Sequence, residues 1–311
     1  MANTFTDVDA REIDFVSRFA RNWDSLKKIL GVMRPIKKTS GTTLVSYTAH
    51  ATNGLATSPS AGQQIPYTDI TVEESKKEDI TIEKYAKAVT IEDVSKYGAE
   101  VAIEKTDDAF LTELQNNVMN RFYTFLKTGS LTGRKATWQK ALAMAKGAVL
   151  DKFQTMGKTA TDVVGFANIL DAYEYLGDAN ITVQTMFGVQ YVENFLGYKT
   201  LFLLSAPQIP QGTVIATPVE NIDLYYVDPA ESDFAKLGLV YRTDGETNLI
   251  GFHANGNYGT AVGESFALMG ITLWAEYLDG IAVYTVGEEN SQSTESNSEN
   301  TGEGESENTG A

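Results

Sequence analysis

The feature that most constrains the fold is a long apolar stripe between about Tyr97 and Lys127. Large apolar side chains recur there at spacings of four, four, four and three residues, at Phe110, Leu114, Val118, Phe122 and Phe125. This spacing lines one face of an α-helix. The sequence therefore predicts one long amphipathic helix, with Gln115 on its exposed side.

Charged residues and a glycine give this helix a direction and an end. Asp107, Asp108 and Glu113 lie toward its start and Gly129 follows it as a stop signal, an arrangement that suits the helix dipole. Asp107 and Asp108 are adjacent, so we expect them to face different directions and to lie in solvent. At 1.5 Å per residue the helix runs roughly 40 Å, which predicts that several layers pack on it.

A second helical stripe lies near the N-terminus, in residues 9 to 30. Its members are Ile13, Val16, Phe19, Trp23, Leu26 and Leu30. Two interpretations stay open. The helix packs on its own domain, or it is an arm that docks on a neighbouring subunit, with Phe19 and Trp23 as assembly contacts.

Residues 42 to 90 change to short β-prone runs separated by loose polar segments. Ile70 with Val72, and Ile80 with Ile82, alternate as strands with one apolar face do. These runs hold too few large apolar residues for a core of their own. We therefore predict a protruding two-armed hairpin that buries these four side chains against other subunits; a poorly packed ordinary hairpin is the alternative.

The remainder of the chain mixes helices and short strands. A further helical stripe comprises Trp138, Leu142, Ala145, Val149 and Phe153. Residues 162 to 168 predict a strand that leads into a helix capped by Asn168. Further short strands are predicted at 200–206, 212–218, 221–228, 237–243 and 248–254, with two more between 264 and 287. Because no regular βαβ alternation is present, the fold class is α+β with mostly antiparallel sheets.

Negative charge is concentrated at the C-terminus. The net charge is −16, and seven of the excess negative charges are glutamates in residues 288–311, which leaves nine for residues 1–287. Residues 288–311 hold no large apolar side chain, so they predict a disordered acidic tail. An acidic body argues against tight, continuous contact with nucleic acid, although not against enclosing it.

Sequence patterns for catalysis are incomplete. The chain has no cysteine, and its two histidines, His50 and His253, lack carboxylates at metal-ligand spacing. Ser265 stands in a pattern that departs from the nucleophile elbow at its last glycine, and we interpret it as a surface strand serine. We expect no catalytic residue, no metal and no cofactor, and an enzyme with an unrecognised site is a disfavoured alternative.

The sequence predicts neither export nor membrane insertion. The first residues carry acids where a signal peptide needs a basic and then an apolar segment, and no run of eighteen apolar residues occurs. Cytoplasmic synthesis without a membrane partner is the resulting expectation.

The order of these segments resembles that of tailed-bacteriophage major capsid proteins with the HK97-like fold. That family has an N-terminal arm, an extended hairpin loop, a long spine helix and then a mixed α+β region. Residues 209–238 are similar to a late strand, turn, strand and short helix of the family, and residues 271–286 to its last strands, with Glu276 and the Asp279–Gly280 turn in familiar places. A long helical scaffolding-like domain at the N-terminus is missing, and the acidic tail is extra.

The resemblance implies a shell protein that assembles as hexamers and pentamers into an icosahedral head around double-stranded DNA. It implies the following segments: an N-terminal arm (1–40), an extended loop (41–90), a peripheral domain with the spine helix (91–134 and 259–279), an axial domain (135–258 and 280–287) and the tail (288–311). The implied location is the virion, after synthesis and assembly in the host cytoplasm. A separate scaffolding protein, a portal and decoration proteins are candidate partners besides other copies of the chain. An encapsulin-type nanocompartment, which encloses a cargo enzyme, is the nearest alternative.

Overall fold

A computed structural model describes residues 7–30, 35–51, 61–64, 67–177, 183–186, 189–246 and 248–287. Within these ranges there are six α-helices: α1 (Asp7–Leu30), α2 (Ile91–Tyr97), α3 (Lys105–Leu126), α4 (Trp138–Thr155), α5 (Ile169–Leu176) and α6 (Ser232–Ala235). A π-helical turn, Glu100–Glu104, leads directly into α3. The predicted tail, 288–311, lies outside the described residues.

The same ranges contain fourteen strands. They are β1 (Pro35–Lys38), β2 (Thr43–Ala51), β3 (Ile70–Asp79), β4 (Ile82–Thr90), β5 (Leu131–Lys135), β6 (Val163–Asn168), β7 (Gln184–Met186), β8 (Val189–Glu193), β9 (Thr200–Leu204), β10 (Thr213–Pro218), β11 (Ile222–Val227), β12 (Gly251–Asn257), β13 (Val262–Ala275) and β14 (Ala282–Val286).

These strands form two larger sheets and one two-stranded ribbon. The first sheet has the order β1-β11-β13-β12, and β4 also pairs with β13. The second has the order β5-β14-β10-β6-β9-β8-β7, and the ribbon is β2-β3. Three of the described pairings are parallel, β1 with β11, β5 with β14, and β6 with β9. The others are antiparallel, which confirms the predicted α+β class.

The predicted long helix corresponds to α3 and the π-helical turn before it. Gly98, with φ +82°, separates α2 from this helix at the predicted start. The helix ends at Leu126, where the Lys127 N–H donates to the Tyr123 carbonyl. Gly129 packs against Ile281 so closely that a Cβ would lie 2.6 Å from its side chain. It therefore follows the helix as expected, and the close approach explains why it is glycine.

The buried face of α3 is rotated relative to the predicted stripe. Leu114, Val118 and Phe122 are buried as expected, whereas Phe110 and Phe125 are only partly buried. The other apolar side chains of the face are Leu111, Met119, Tyr123 and Leu126. Two predictions were wrong, because Gln115 and Asp107 are buried.

Helix α1 packs on its own chain. Phe15 stacks on Phe252 of β12 with ring centroids 4.0 Å apart. Phe19 and Trp23 are 2% and 1% exposed and belong to the same core cluster as α3. Of the two interpretations of this stripe, the structure therefore supports packing on its own domain.

Around the second sheet, local sequence patterns predicted the structure well. All five residues of the α4 stripe are buried, and the Asn168 side chain accepts a hydrogen bond from the Leu170 N–H at the start of α5.

The predicted strand at 237–243 was wrong, because only Arg242 there forms a bridge, with Phe252. Residues 237–240 are exposed and belong to no strand.

The predicted hairpin region divides into two parts. β2 and β3 pair over Thr43–Ala51 and Ile70–Asp79 as a separate ribbon. β4 instead pairs with β13 along its whole length, from Ile82 opposite Gly270 to Thr90 opposite Val262. The prediction that residues up to 90 protrude was therefore wrong for 82–90, which belong to the first sheet.

Candidate assembly surfaces

The ribbon exposes large apolar side chains on both of its strands. Tyr47, Ile70 and Val72 are 65%, 66% and 62% exposed. Ile70 and Val72 are two residues apart and therefore share one face of β3. Burying exposed aliphatic side chains stabilises an assembly by roughly 25 cal/mol per Å², so this face is a candidate contact surface.

The base of the ribbon is attached to the body through Lys76. Its ammonium lies 4.3 Å from the Trp274 ring centroid of β13 and 5.4 Å from that of Phe125 on α3. Both distances lie within the range of a cation–π interaction. This contact positions the near end of the ribbon on the body.

The other predicted contact residues occupy less exposed positions. Ile80 and Ile82 are half-buried, and Ile82 is the first residue of β4. Phe19 and Trp23 contact the core of their own chain, so their position here does not support a role as contacts between subunits. The ribbon face of Ile70 and Val72 is the part of the predicted set that lies open.

A buried ionic cluster joins α1, β4 and α3 and was missed by sequence reasoning. Arg11 donates to the Asp107 carboxylate from Nε at 2.5 Å and from Nη2 at 2.7 Å, and Nη2 also donates to Ser265 Oγ at 2.8 Å. Lys87 Nζ lies 2.6 Å from Asp107 Oδ1. Ser265 was predicted at the surface but is buried, and it accepts a hydrogen bond in this cluster. The signal was non-local, because the three charged residues come from three separate elements.

The cluster shifts the pKa values of its members. Burial acts to raise the pKa of Asp107, but hydrogen bonds from Arg11 and Lys87 outweigh it and hold that pKa below its ordinary value. Burial lowers the pKa of Lys87 and is only partly opposed by Asp107. Asp107 is therefore an ionised structural group, and its contacts with Arg11 and Lys87 favour its charged form.

A second buried carboxylate, Glu12, attaches α1 to β12. Its Oε1 accepts the Ala254 N–H at 2.6 Å and lies 3.2 Å from His253 Nδ1. Arg242 Nε lies 3.5 Å from Glu12 Oε2. One of the two histidines thus has a structural partner, and the side chain of the other, His50, lies outside the described residues.

The described residues contain neither a metal-binding cluster nor a membrane-spanning helix. Within them, no group of three or more His, Asp or Glu side chains is arranged to hold a metal ion. No helix in that part of the chain is long and apolar enough to cross a membrane. The surfaces that distinguish this structure are apolar and suited to contacts.

Comparison with known proteins places the fold. No family model and no curated protein matches the sequence. The mature capsid of bacteriophage PhiM1 is similar in structure at a TM-score of 0.53, with 7% identity over 82% of this chain and 86% of that one. The capsid of cyanophage P-SCSP1u gives 0.52, with 9% identity over 81% and 86%.

An encapsulin is similar to the same degree. The SrpI encapsulin from Synechococcus elongatus PCC 7942 gives a TM-score of 0.50, with 10% identity over 88% of this chain and 91% of that one. At such low identities the likeness establishes the fold. The fold is the HK97-like fold that these solved shell structures share, which confirms the fold that the sequence resemblance implied.

Proposed function

We propose that this chain is the major capsid protein of a tailed bacteriophage. In this role it assembles with itself as hexamers and pentamers into an icosahedral shell that encloses double-stranded DNA. The observation that carries the proposal is an HK97-like fold with a ribbon whose apolar side chains are exposed, as the sequence predicted for strands without a core of their own. Its role is structural, not catalytic.

In this proposal the parts of the chain have distinct tasks. The ribbon is the extended loop that reaches a neighbouring subunit, and α3 is the spine helix of the peripheral domain. The first sheet includes β11 and β12, so the peripheral domain takes in residues 222–257 that the sequence had assigned to the axial domain. The axial domain is then the second sheet with α4 and α5.

The proposed contents follow from charge. Tight binding to DNA phosphates needs Lys and Arg, whereas residues 1–287 carry nine excess negative charges. The shell therefore encloses DNA without binding it tightly. The protein then resides in the virion after assembly in the host cytoplasm. A scaffolding protein, a portal and decoration proteins are its proposed partners besides other copies of itself.

A second candidate is the shell of an encapsulin-type nanocompartment. It is supported by the likeness to the SrpI encapsulin, whose TM-score of 0.50 is close to those of the two phage capsids. In that case the shell encloses a cargo enzyme instead of a genome.

Two measurements test the proposal. Negative-stain microscopy and sedimentation of the purified chain are expected to reveal closed shells, or rings of five or six copies. A chain that stays monomeric over a wide range of concentration and salt, with or without proteins from its own source, speaks against a shell function.

The contents of particles isolated from that source then separate the candidates: nuclease-protected double-stranded DNA supports the capsid, and a co-purified enzyme supports the nanocompartment.

A further inference from the structure

One stretch of this acidic chain is basic. No acidic residue occurs between Glu113 and Asp151, and residues 127–146 contain five bases, Lys127, Arg134, Lys135, Lys140 and Lys146. We call residues 127–146 the basic segment. It includes β5 and the first half of α4. In a chain of net charge −16, this segment is where a polyanion is attracted most strongly.

The described part of the chain leaves most of this positive charge uncompensated. Arg134 Nε donates to the Thr285 hydroxyl at 3.4 Å, and Lys146 Nζ donates to the Gly197 carbonyl, so neither partner is charged. Lys140 is exposed. Among the described residues, no carboxylate forms an ion pair with these three bases. By contrast, the next two lysines along the chain do have carboxylate partners, Lys152 with Asp279 and Lys158 with Glu276.

The described chain ends beside the basic segment. β14 pairs with β5, with Val286 opposite Lys135, and the Gly287 N–H donates to the Lys135 carbonyl at 2.9 Å. The Arg134 side chain lies close to Gly287, because a Cβ on this glycine would be 3.4 Å from Arg134 Nε. β5 is an edge strand of the second sheet. The residues after Gly287 therefore start next to the basic segment.

Those next residues carry the opposite charge. The acidic tail, residues 288–311, contains seven glutamates and no base. Fully extended, it reaches roughly 80 Å, whereas the part of α4 from Trp138 to Lys146 is about 13 Å long. The tail is therefore long enough to reach every base of the segment. Because both belong to one chain, the tail is present at an effective concentration on the order of millimolar.

We propose that the acidic tail covers the basic segment of its own chain and thereby keeps nucleic acid from binding there. The tail of the same copy is the occupant, because it starts beside Arg134 and carries the charge that the segment lacks. The contact is ionic, so it weakens as salt rises. It gives the tail a role in the single subunit that does not depend on a shell.

DNA binding by the full-length chain tests this cover. Replacing the seven tail glutamates by glutamine removes the charge and keeps the length of the chain. A short fluorescent DNA duplex at low salt is the probe, followed by fluorescence anisotropy. We expect the glutamine variant to bind the duplex at least tenfold more tightly than the wild type, with an affinity that falls steeply with salt, because the uncovered bases neutralise phosphates.

Two pairs of substitutions in the glutamine variant separate the basic segment from net charge. Arg134→Gln with Lys140→Gln should return DNA binding to the wild-type level. Lys96→Gln with Lys105→Gln removes the same charge from exposed positions outside the segment and should preserve the gain. A glutamine variant that binds no better than the wild type overturns the proposal, and so does a gain that persists without Arg134 and Lys140.

Cross-linking identifies which copy supplies the tail. A carbodiimide joins ammonium and carboxylate groups that are in contact, and a mixture of isotopically labelled and unlabelled chains shows by mass spectrometry whether both belong to one copy. We expect Lys140 to be joined to tail glutamates of the same isotopic form. Joints mainly between the two forms, or none at Lys140, overturn the proposal. Neither experiment requires shells, so its failure leaves the proposed function standing.

Discussion

Asp107 provides the sharpest test of how α1 is held. Replacing it by asparagine keeps the volume of the side chain and removes the charge that Arg11 and Lys87 share. The Asp107 side chain is 7% exposed, and those of Arg11 and Lys87 are 23% and 13% exposed. Removing one partner of a buried ion pair costs about 3 to 5 kcal/mol, because the remaining charges stay buried without compensation. Since Arg11 keeps Ser265 and some solvent, we expect about 3 kcal/mol.

The neighbouring residue supplies the control. Asp108 pairs with Arg18 at 2.6 Å, but its side chain is 50% exposed. An exposed pair contributes about 0 to 1 kcal/mol, so Asp108→Asn should have little effect. Urea unfolding followed by tryptophan fluorescence measures both variants. Equal loss of stability in the two would refute the assignment of Asp107 to a buried cluster.

The same cluster predicts a pH dependence. The pKa of Asp107 is lowered from its ordinary 3.8 in the folded state. A carboxyl group with a lowered folded pKa contributes stability above its unfolded pKa and loses it as the pH falls through the folded value. The free energy of unfolding of the wild type should therefore fall more between pH 6 and pH 2 than that of Asp107→Asn. Parallel curves for the two proteins would contradict this reasoning.

Three further predictions concern the core, the ribbon and the tail. Phe122→Ala should cost about 3 to 5 kcal/mol, because the ring is fully buried, whereas Thr124→Ala on the exposed side of α3 should stay within about 0.5 kcal/mol in the same melts. Deleting residues 54–64 between the ribbon strands should leave a soluble subunit that forms defective shells by microscopy; normal, equally stable particles would argue against the extended-loop role. A glutamate-specific protease should remove residues 288–311 from intact, DNA-filled particles, as mass spectrometry can detect, because an acidic tail is repelled by packaged phosphates; a tail that is cut only in broken shells would place it inside.

Local patterns predicted those elements whose neighbours are close in sequence. The α4 stripe and the Asn168 cap depend on residues three or four positions apart, and both are confirmed. The fold class followed from the order of such elements. The resemblance to capsid proteins came from the same order, and solved structures at identities of 7% to 10% share the overall fold.

What could not be predicted depends on partners distant in the chain. β4 has the alternation of a hairpin strand, but whether it pairs with β3 or β13 is decided across about 180 residues. Asp107 reads as a solvated helix-start acid until Arg11 and Lys87 are brought beside it. Residues 237–243 have the composition of a strand, but only Arg242 finds a bridge partner, Phe252, which the composition alone cannot predict.

The N-terminal stripe illustrates why periodicity alone cannot choose between a core helix and an arm. Phe19 and Trp23 need an apolar partner in either case, so they are compatible with both interpretations. The choice depends on two charged residues of the same helix, Arg11 and Glu12, which find buried partners on α3 and β12. A helix that only docks on a neighbour has no reason to bring a carboxylate into the core of its own chain. Buried charge with matched partners is therefore the more specific sign that α1 belongs to the subunit's own fold.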